Sequence, residues 1–437
     1  MYRFVGAFLC LVAMGSPVPA LAGSDPIVVH GQEFENTTAF YESDFFRDNG
    51  LRCGTRMEGL VDKTSFGPSD CALNSTNPLP EYDAGYVYTI DVVVHIITNF
   101  AQTVGNVSDS LIYSQIDVLN EDFRGLAGTP GELGADVGIE FRLAPFDPDG
   151  NPTTGITRTN KSTYYLETEA YYDSLAWDPS RYMNLYSTSA SGNLGYVPFL
   201  PQEGGVGTNA DRVVCYWEAM GRPGQGGPPY DQGRTVTHEV GHYLGLWHTF
   251  SNGCGIATEP SCYTTGDRIC DTERESTSHF GCPSTTTCSD PDPLDNYMNY
   301  TDDTCMMRFT SEQANRMRCT LENYRFGLIE AATNVADATT PAPVEGQRLL
   351  RANRPNPFNP TTEISFSLPA AGAASLRIVD VAGRNVQTLV DGDLAAGAHT
   401  YTWHGTNDRG EEVASGVYLY QLITNERTET NRMVLTR

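Results

Sequence analysis

Residues 238–250 read HEVGHYLGLWHTF, which sets His238, His242 and His248 beside one carboxylate, Glu239, in a chain with eight histidines in all. His238 and His242 are four apart, so on a helix they stand one turn above the other on the same face. Two imidazoles spaced in this way can share one Zn2+, while Glu239 leans toward the coordination position left open for water. A straight helix would carry His248 away from the metal. Gly245 can take a positive φ and turn the chain back, which lets His248 complete the set. Zinc held there lowers the pKa of water to ~7, and Glu239 is the base placed to take the proton as a peptide carbonyl is attacked. A buried helix with hydrogen-bonded core histidines would account for a bare H-E-x-x-H match. It does not account for the whole spacing H-E-x-x-H-x-x-G-x-x-H.

That longer pattern resembles the metzincin zinc proteases, and DNYMNYTDD offers Met298 where those enzymes carry a methionine turn beneath the metal. The order of the helix, GDRICDT, FGCP, LDNYMNYTDDTC and RFTSEQANRMR is similar to the pappalysin family of ulilysin-like enzymes, over residues 86–328. The resemblance implies an α/β metzincin catalytic domain, a mixed sheet plus the active-site helix. It also implies that Tyr300 stabilises the oxyanion of the tetrahedral intermediate, a task for which a Tyr O–H is a suitable donor. A Tyr that only packs under the site is the other reading.

Local patterns agree with such a domain. YVYTIDVVVHIIT, residues 86–98, is too continuously β-branched for a half-exposed strand and predicts a buried one. An amphipathic helix opened by Ser108 follows, with Leu111, Ile112, Ile116, Leu119 and Phe123 on one face. Further strands are expected in GIEFRL, YMNLYST and DRVVCYW, with a turn at Asp149-Gly150 and a closing helix in EQANRMRCTLENYRFGLIEAA.

The chain begins with one basic residue, Arg3, an apolar run and the triplet Ala20-Leu21-Ala22, so residues 1–22 are expected to be a secretory signal peptide. No later segment has the ~18 consecutive apolar residues of a transmembrane helix. A formal net charge of −26 disfavours nucleic acid and anionic membranes as partners and suits a basic substrate. Residues 23–80 are polar and mixed and read as a pro-segment, 81–330 as the peptidase, and 331–347 as a linker rich in small residues.

Of the eleven cysteines, Cys10 belongs to the leader, and the rest sit in a compartment where disulfides persist. LRCGT puts Cys53 upstream of the metal motif; its thiolate could fill the open zinc position and hold the enzyme latent. Similar Arg-Cys-Gly switches occur in pappalysin-type zymogens. A disulfide of Cys53 with Cys71 is the alternative. Loss of the segment up to Leu79 leaves eight cysteines. The family pattern implies Cys262 with Cys288 and Cys282 with Cys305, and what remains is Cys254 with Cys270 and Cys215 with Cys319.

GDRICDT brings Asp267, Asp271 and the Thr272 hydroxyl together, and oxygen clusters of this kind suit Ca2+. By the same resemblance calcium is expected at Asp267 and Thr272, with Asp295 as a further ligand. An acidic loop that solvates itself competes with this reading. Asp302 and Asp303 either line a pocket for Arg or Lys after the scissile bond, as in ulilysin-like proteases, or lie on the surface.

From residue 348 the period is two, in TEISFSLP, ASLRIVDVAGR, HTYTWHGTN and GVYLYQLIT, which predicts a small all-β Ig-like sandwich over 348–437. Pro357, Pro360, Gly383-Arg384, Trp403 and Gly416-Val417-Tyr418 resemble the sorting domain of the type IX secretion system and the Ig-like domain of flagellar hook-capping proteins. The resemblance implies a Gram-negative bacterium, passage through the periplasm, and recognition by secretion machinery. The sequence therefore describes a secreted zinc endopeptidase made as a zymogen and acting on protein or peptide substrates. The alternative is a surface-attached binding protein on a metal-stabilised fold. Glu239 argues against it, because a structural zinc is closed by a fourth protein ligand.

Overall fold

The computed structural model describes residues 26–57, 59–60, 71–83, 87–333, 349–350, 353, 358–368, 370–380, 383–425 and 427–437. The expected signal peptide and most of the expected linker lie outside them.

Residues 26–57 are more ordered than their mixed composition predicts. A hairpin of β1 (Ile27–Val29) and β2 (Gln32–Phe34) leads into α1 (Thr37–Tyr41) and α2 (Asp44–Asp48), whose first turns are capped by the side chains of Asn36 and Ser43. Phe34, Phe40, Tyr41 and Phe46 are buried in the main core, and Phe46 packs between Tyr230 and Phe280. These aromatics are clustered rather than periodic, so no sequence period announces them.

The catalytic sheet is built on β3 (Tyr88–Thr98), buried from Ile90 onward. Burial on both faces is the reason for its Val and Ile run, since a strand flanked by parallel neighbours meets side chains above and below. α3 (Asp109–Arg124) follows, with the Ser108 side chain accepting from Leu111 N and Gly125 closing it at φ 53°. β4 (Ile139–Leu143) and β5 (Ile156–Asn160) pair parallel with successive halves of β3. After α4 (Ser162–Tyr165) and α5 (Tyr172–Leu175), β6 (Met183–Thr188) pairs parallel with β3 on its other side. β7 (Gly195–Tyr196) pairs antiparallel and β8 (Val213–Tyr216) parallel within the order β4-β3-β6-β8-β7, a mixed sheet with β7 at its edge.

α6 (Arg234–Tyr243) carries the histidine motif and has no exposed residue. A buried helix must satisfy its polar groups internally. Asp122 of α3 does this: it accepts from Thr237 Oγ1 at 2.6 Å and Tyr297 Oη at 2.8 Å, and pairs with Arg234 at 3.2 Å. Two elements that carry the site, α6 and the loop at Tyr297, are thereby fixed to one carboxylate of α3.

α7 (Ser311–Tyr324) and α8 (Phe326–Thr333) close the domain. Residues 71–83 run along α7 as a strap. Arg316, fully buried, donates to the carbonyls of Gly245 at 2.8 Å, Ser75 at 3.1 Å and Ala72 at 2.9 Å. Disulfides join Cys71 with Cys319, Cys254 with Cys288, Cys262 with Cys270, and Cys282 with Cys305; Cys53 and Cys215 are free and buried. The expected pairs Cys262 with Cys288, Cys254 with Cys270 and Cys215 with Cys319 are thus corrected. Cys215 lies inside β8 with its Sγ toward the Tyr216 carbonyl, whereas Cys319 on α7 meets the strap. Cys262 closes a short loop to its near neighbour Cys270, leaving Cys254 for Cys288.

The C-terminal strands are β9 (Thr362–Leu368), β10 (Gly372–Asp380), β11 (Asn385–Leu394), β12 (Gly397–Trp403), β13 (Gly416–Thr424) and β14 (Thr428–Leu435). They form sheets of order β11-β10-β13-β14 and β12-β9 around a core of their own, which includes Phe366, Leu376, Trp403, Tyr420 and Met433. The Trp403 indole donates to the Thr406 carbonyl at 2.8 Å, which lets so large a side chain be buried with its N–H satisfied.

Candidate active site

α6 ends where its motif demands. Gly245 stands at φ 90°, and a Cβ there would come within 2.6 Å of Thr320 Oγ1. The chain turns back and delivers His248. Gly241 was not singled out from sequence, yet a Cβ on it would lie 2.4 Å from Met298 Sδ, so the buried methionine packs directly against the helix backbone there.

His242 Nε2 lies 3.1 Å from His238 Nε2 and 3.0 Å from His248 Nε2. His238 Nδ1 donates to the Tyr297 carbonyl at 2.7 Å and His242 Nδ1 to the Leu246 carbonyl at 2.9 Å. A carbonyl only accepts, so in these two rings the proton sits on Nδ1 and Nε2 presents a bare lone pair. Burial pushes His242 down to about 4, and burial together with the neighbouring imidazoles holds His238 and His248 well below the usual histidine range. Converging lone pairs repel one another unless a cation lies between them. Cys53 Sγ joins this group, all four ligand atoms lying within 4.8 Å of one another. Burial, and then Glu239, push the Cys53 thiol up. The donor set fits a tetrahedral metal.

Glu239 is fully buried, and burial pushes it up to about 8. Its Oε2 accepts from Thr55 Oγ1 at 3.0 Å, and the Cys53 thiol is the other polar group facing the carboxylate. Gly195 of β7 makes room for it, since a Cβ there would lie 2.7 Å from Glu239 Cγ. Tyr300 Oη donates to the Cys53 carbonyl at 3.4 Å, and its ring stands 4.9 Å from that of His248.

Residues 51–55 occupy the cleft as an irregular segment running beside β7. Leu194 N donates to the Leu51 carbonyl and Gly54 N to the Gly195 carbonyl, each at 2.9 Å, and Val197 N donates to Thr55 Oγ1 at 2.8 Å. Arg52 is 0% exposed. It donates to Thr235 Oγ1 at 2.9 Å, pairs with Asp303 at 3.3 Å and lies 4.8 Å over the Tyr230 ring. Asp303 is therefore inside the pocket, with Asp302 turned away to accept from Gly281 N.

Asp267 and Thr272 line a cavity of about 250 Å3 with Thr249, Asp271 and Glu275. Asp267 Oδ2 and Thr272 Oγ1 are both buried without an aligned hydrogen bond, and burial pushes Asp267 up to about 7. Asp295 does not join them. It is paired with Arg308 at 2.8 Å, which corrects its expected place among calcium ligands.

Fold and donor set define a metalloprotease. Residues 167–322 match the family model of pregnancy-associated plasma protein-A peptidases, and residues 353–426 that of the FlgD Ig-like domain. An extracellular metalloprotease of Trichophyton verrucosum is 32% identical over 263 residues, 59% of this chain and 86% of the relative. Extracellular metalloprotease 1 of Coccidioides posadasii is 30% identical, over 54% of this chain and 78% of its own. Among solved structures, mirolysin in complex with compound 9 is 38% identical, with a TM-score of 0.51, covering 58% of this chain and 99% of that one. A promirolysin mutant of Tannerella forsythia is 35% identical, with a TM-score of 0.50, over 59% and 90%. The chain belongs to the pappalysin family of metalloproteases, and the binding-protein alternative falls for its middle domain.

Replacing Gly245 with Ala is expected to lower kcat/KM on a peptide substrate by at least ~10-fold, because the strained φ and the Thr320 contact displace His248. Unchanged kinetics would show that the turn tolerates a Cβ.

Proposed function

We propose that the chain is an exported zinc endopeptidase held latent by its own residues 51–55. The observation that carries this is the convergence of Cys53 Sγ with the ring nitrogens of His238, His242 and His248, while Tyr300 donates to the Cys53 carbonyl. Zinc bound by His238, His242 and His248 supplies a Lewis acid and lowers the pKa of water. Glu239 is the base placed to take the proton once loss of residues 51–55 opens its carboxylate to water and releases Oε2 from Thr55. Tyr300 then gives its hydroxyl to the substrate carbonyl oxygen as it does here to that of Cys53. A relative bearing the name promirolysin supports a pro-form, and mature mirolysin of the same organism was crystallised with a cleaved peptide.

Two features refine the reading. The buried Arg52 on Asp303, Thr235 and Tyr230 supports a subsite for a basic side chain beside the scissile bond. The disulfide of Cys71 with Cys319 and the Arg316 contacts support a cut between Cys53 and Cys71, so that the strap stays with the mature enzyme and the pro-segment is shorter than residues 23–80. Incubating residues 23–437 as wild type and as Glu239→Ala, with casein and with a peptide library, tests this. Wild type is expected to trim itself between those cysteines and to cleave beside Arg or Lys; the variant stays intact. An active Glu239→Ala protein, or a new N-terminus after Cys71, would contradict the mechanism or the cut respectively.

Calcium is proposed at Asp267 and Thr272. An Asp raised to about 7 in the fold is protonated there while the unfolded chain has released its proton, so it destabilises progressively as pH rises from 3.8 to about 7. A bound cation removes that cost. The rise in Tm on adding Ca2+ is expected to grow from pH 5.5 to pH 8, and a rise independent of pH places the ion elsewhere.

The C-terminal sandwich, with its separate core, we assign to export and sorting by secretion machinery at the outer surface of a Gram-negative cell. Deleting residues 349–437 is expected to leave peptidase activity in cell extracts and remove it from the medium of the native host. Undiminished secretion would refute the assignment.

A further inference from the structure

A second cluster of metal-ligating side chains lies behind the active site. Glu275, His279 and Asp292 bring Oε1, Nε2 and Oδ2 together, each within 4.8 Å of the others. His279 Nε2 is 3.0 Å from Asp292 Oδ2 and 3.4 Å from Glu275 Oε1. Tetrahedral ligands at the ~2.0–2.2 Å of zinc stand ~3.3 Å apart, and the catalytic imidazoles here are separated by 3.0 and 3.1 Å. In the second cluster the two separations from His279 Nε2 fall in the same range, and the two carboxylates lie within 4.8 Å of each other.

An ordinary ion pair would aim the ring N–H at a carboxylate oxygen. Asp292 is 7% exposed, and its Oδ2, though only 3.0 Å from the imidazole, is not aligned with the ring N–H; His279 Nε2 also lies 3.4 Å from Thr285 Oγ1, a hydroxyl beside the Asp292 carboxylate that an ion would displace from the ring. The other carboxylate oxygens are anchored. Asp292 Oδ1 accepts from Thr287 N at 2.9 Å and Thr287 Oγ1 at 2.8 Å, and Glu275 Oε2 accepts from Thr249 Oγ1 at 2.7 Å. Ligand carboxylates are oriented in this way by outer hydrogen bonds. Glu275 is fully buried, whereas His279 keeps 14% of its side chain exposed, which leaves a route for an ion and room for water as a fourth ligand.

We propose that Glu275, His279 and Asp292 form a second divalent-metal site, selective for a transition metal such as zinc. One imidazole with two carboxylates suits zinc, whereas calcium prefers a shell of oxygens alone. The site is structural. Glu275 also accepts from Asn299 Nδ2 at 3.0 Å, so it ties Thr249, next to His248, to Asn299, which lies between Met298 and Tyr300. An ion there fixes both flanks of the catalytic metal centre from behind.

The test is zinc stoichiometry of the full chain by mass spectrometry after dialysis against micromolar zinc, in a Glu239→Ala background that prevents self-cleavage. Two equivalents are expected in that protein, and one in each of the added variants His279→Ala and Asp292→Asn. The second is isosteric and keeps the Thr287 contacts, and circular dichroism checks both folds. An added His242→Ala change is expected to remove the other equivalent independently, so failure of the catalytic zinc assignment is read separately. The proposal is overturned if folded His279→Ala and Asp292→Asn bind as much zinc as their parent, which is the result of a plain ion pair.

Discussion

The convergence of three buried imidazoles, with His242 Nε2 about 3 Å from the Nε2 of His238 and of His248, is the constraint around which the catalytic domain is arranged. Such lone pairs repel, and burial denies them protons, so the geometry persists only because each ring is fixed from outside. The Tyr297 and Leu246 carbonyls hold two rings by their Nδ1 protons, Gly241 admits Met298 beneath, and Gly245 turns the chain. Asp122 and Arg316 carry this fixation further, the first tying α6 to α3 and Tyr297, the second tying the Gly245 carbonyl to the strap. A buried carboxylate and a buried guanidinium are tolerated because each is fully engaged.

The N-terminal segment uses the same cleft with a different device. Residues 51–55 run beside the edge strand β7 and take backbone groups at Leu194 and Gly195 that an extended peptide could also take. Arg52 fills the pocket over Tyr230 and Asp303, while Phe46 wedges between Tyr230 and Phe280 a few residues earlier. Latency in this reading combines a thiol at the metal with an aromatic latch next to it. Because the strap at residues 71–83 is bonded covalently and through Arg316 to α7, release of the latch does not require release of the strap.

Legibility differed among these parts for physical reasons. The motif helix, β3, α3 with its Ser108 cap, and the sandwich strands β9, β10, β12 and β13 are local patterns, and local pattern is what periodicity and capping record. Cys53 and Tyr300 were legible as chemistry, but their meeting across the cleft was not. Disulfide pairing failed for three of the four expected pairs because it depends on which cysteines approach in space. Cys71 was assigned to the departing segment and lies instead against Cys319. Asp295 failed for the same reason, since Arg308, adjacent only in the fold, takes its carboxylate.

What the sequence by itself determined was the chemistry: three nitrogen donors and one carboxylate at helical spacing, a glycine turn, a thiol upstream and a separate β-sandwich. Those follow from covalent order, because residues four apart on a helix meet whatever surrounds them. Only the tertiary structure decided that Arg52 lies on Asp303, that Glu239 meets Thr55, and that Glu275, His279 and Asp292 converge. Each is a contact between segments distant in the chain or on separate loops, and its geometry is set by packing rather than by neighbouring residues.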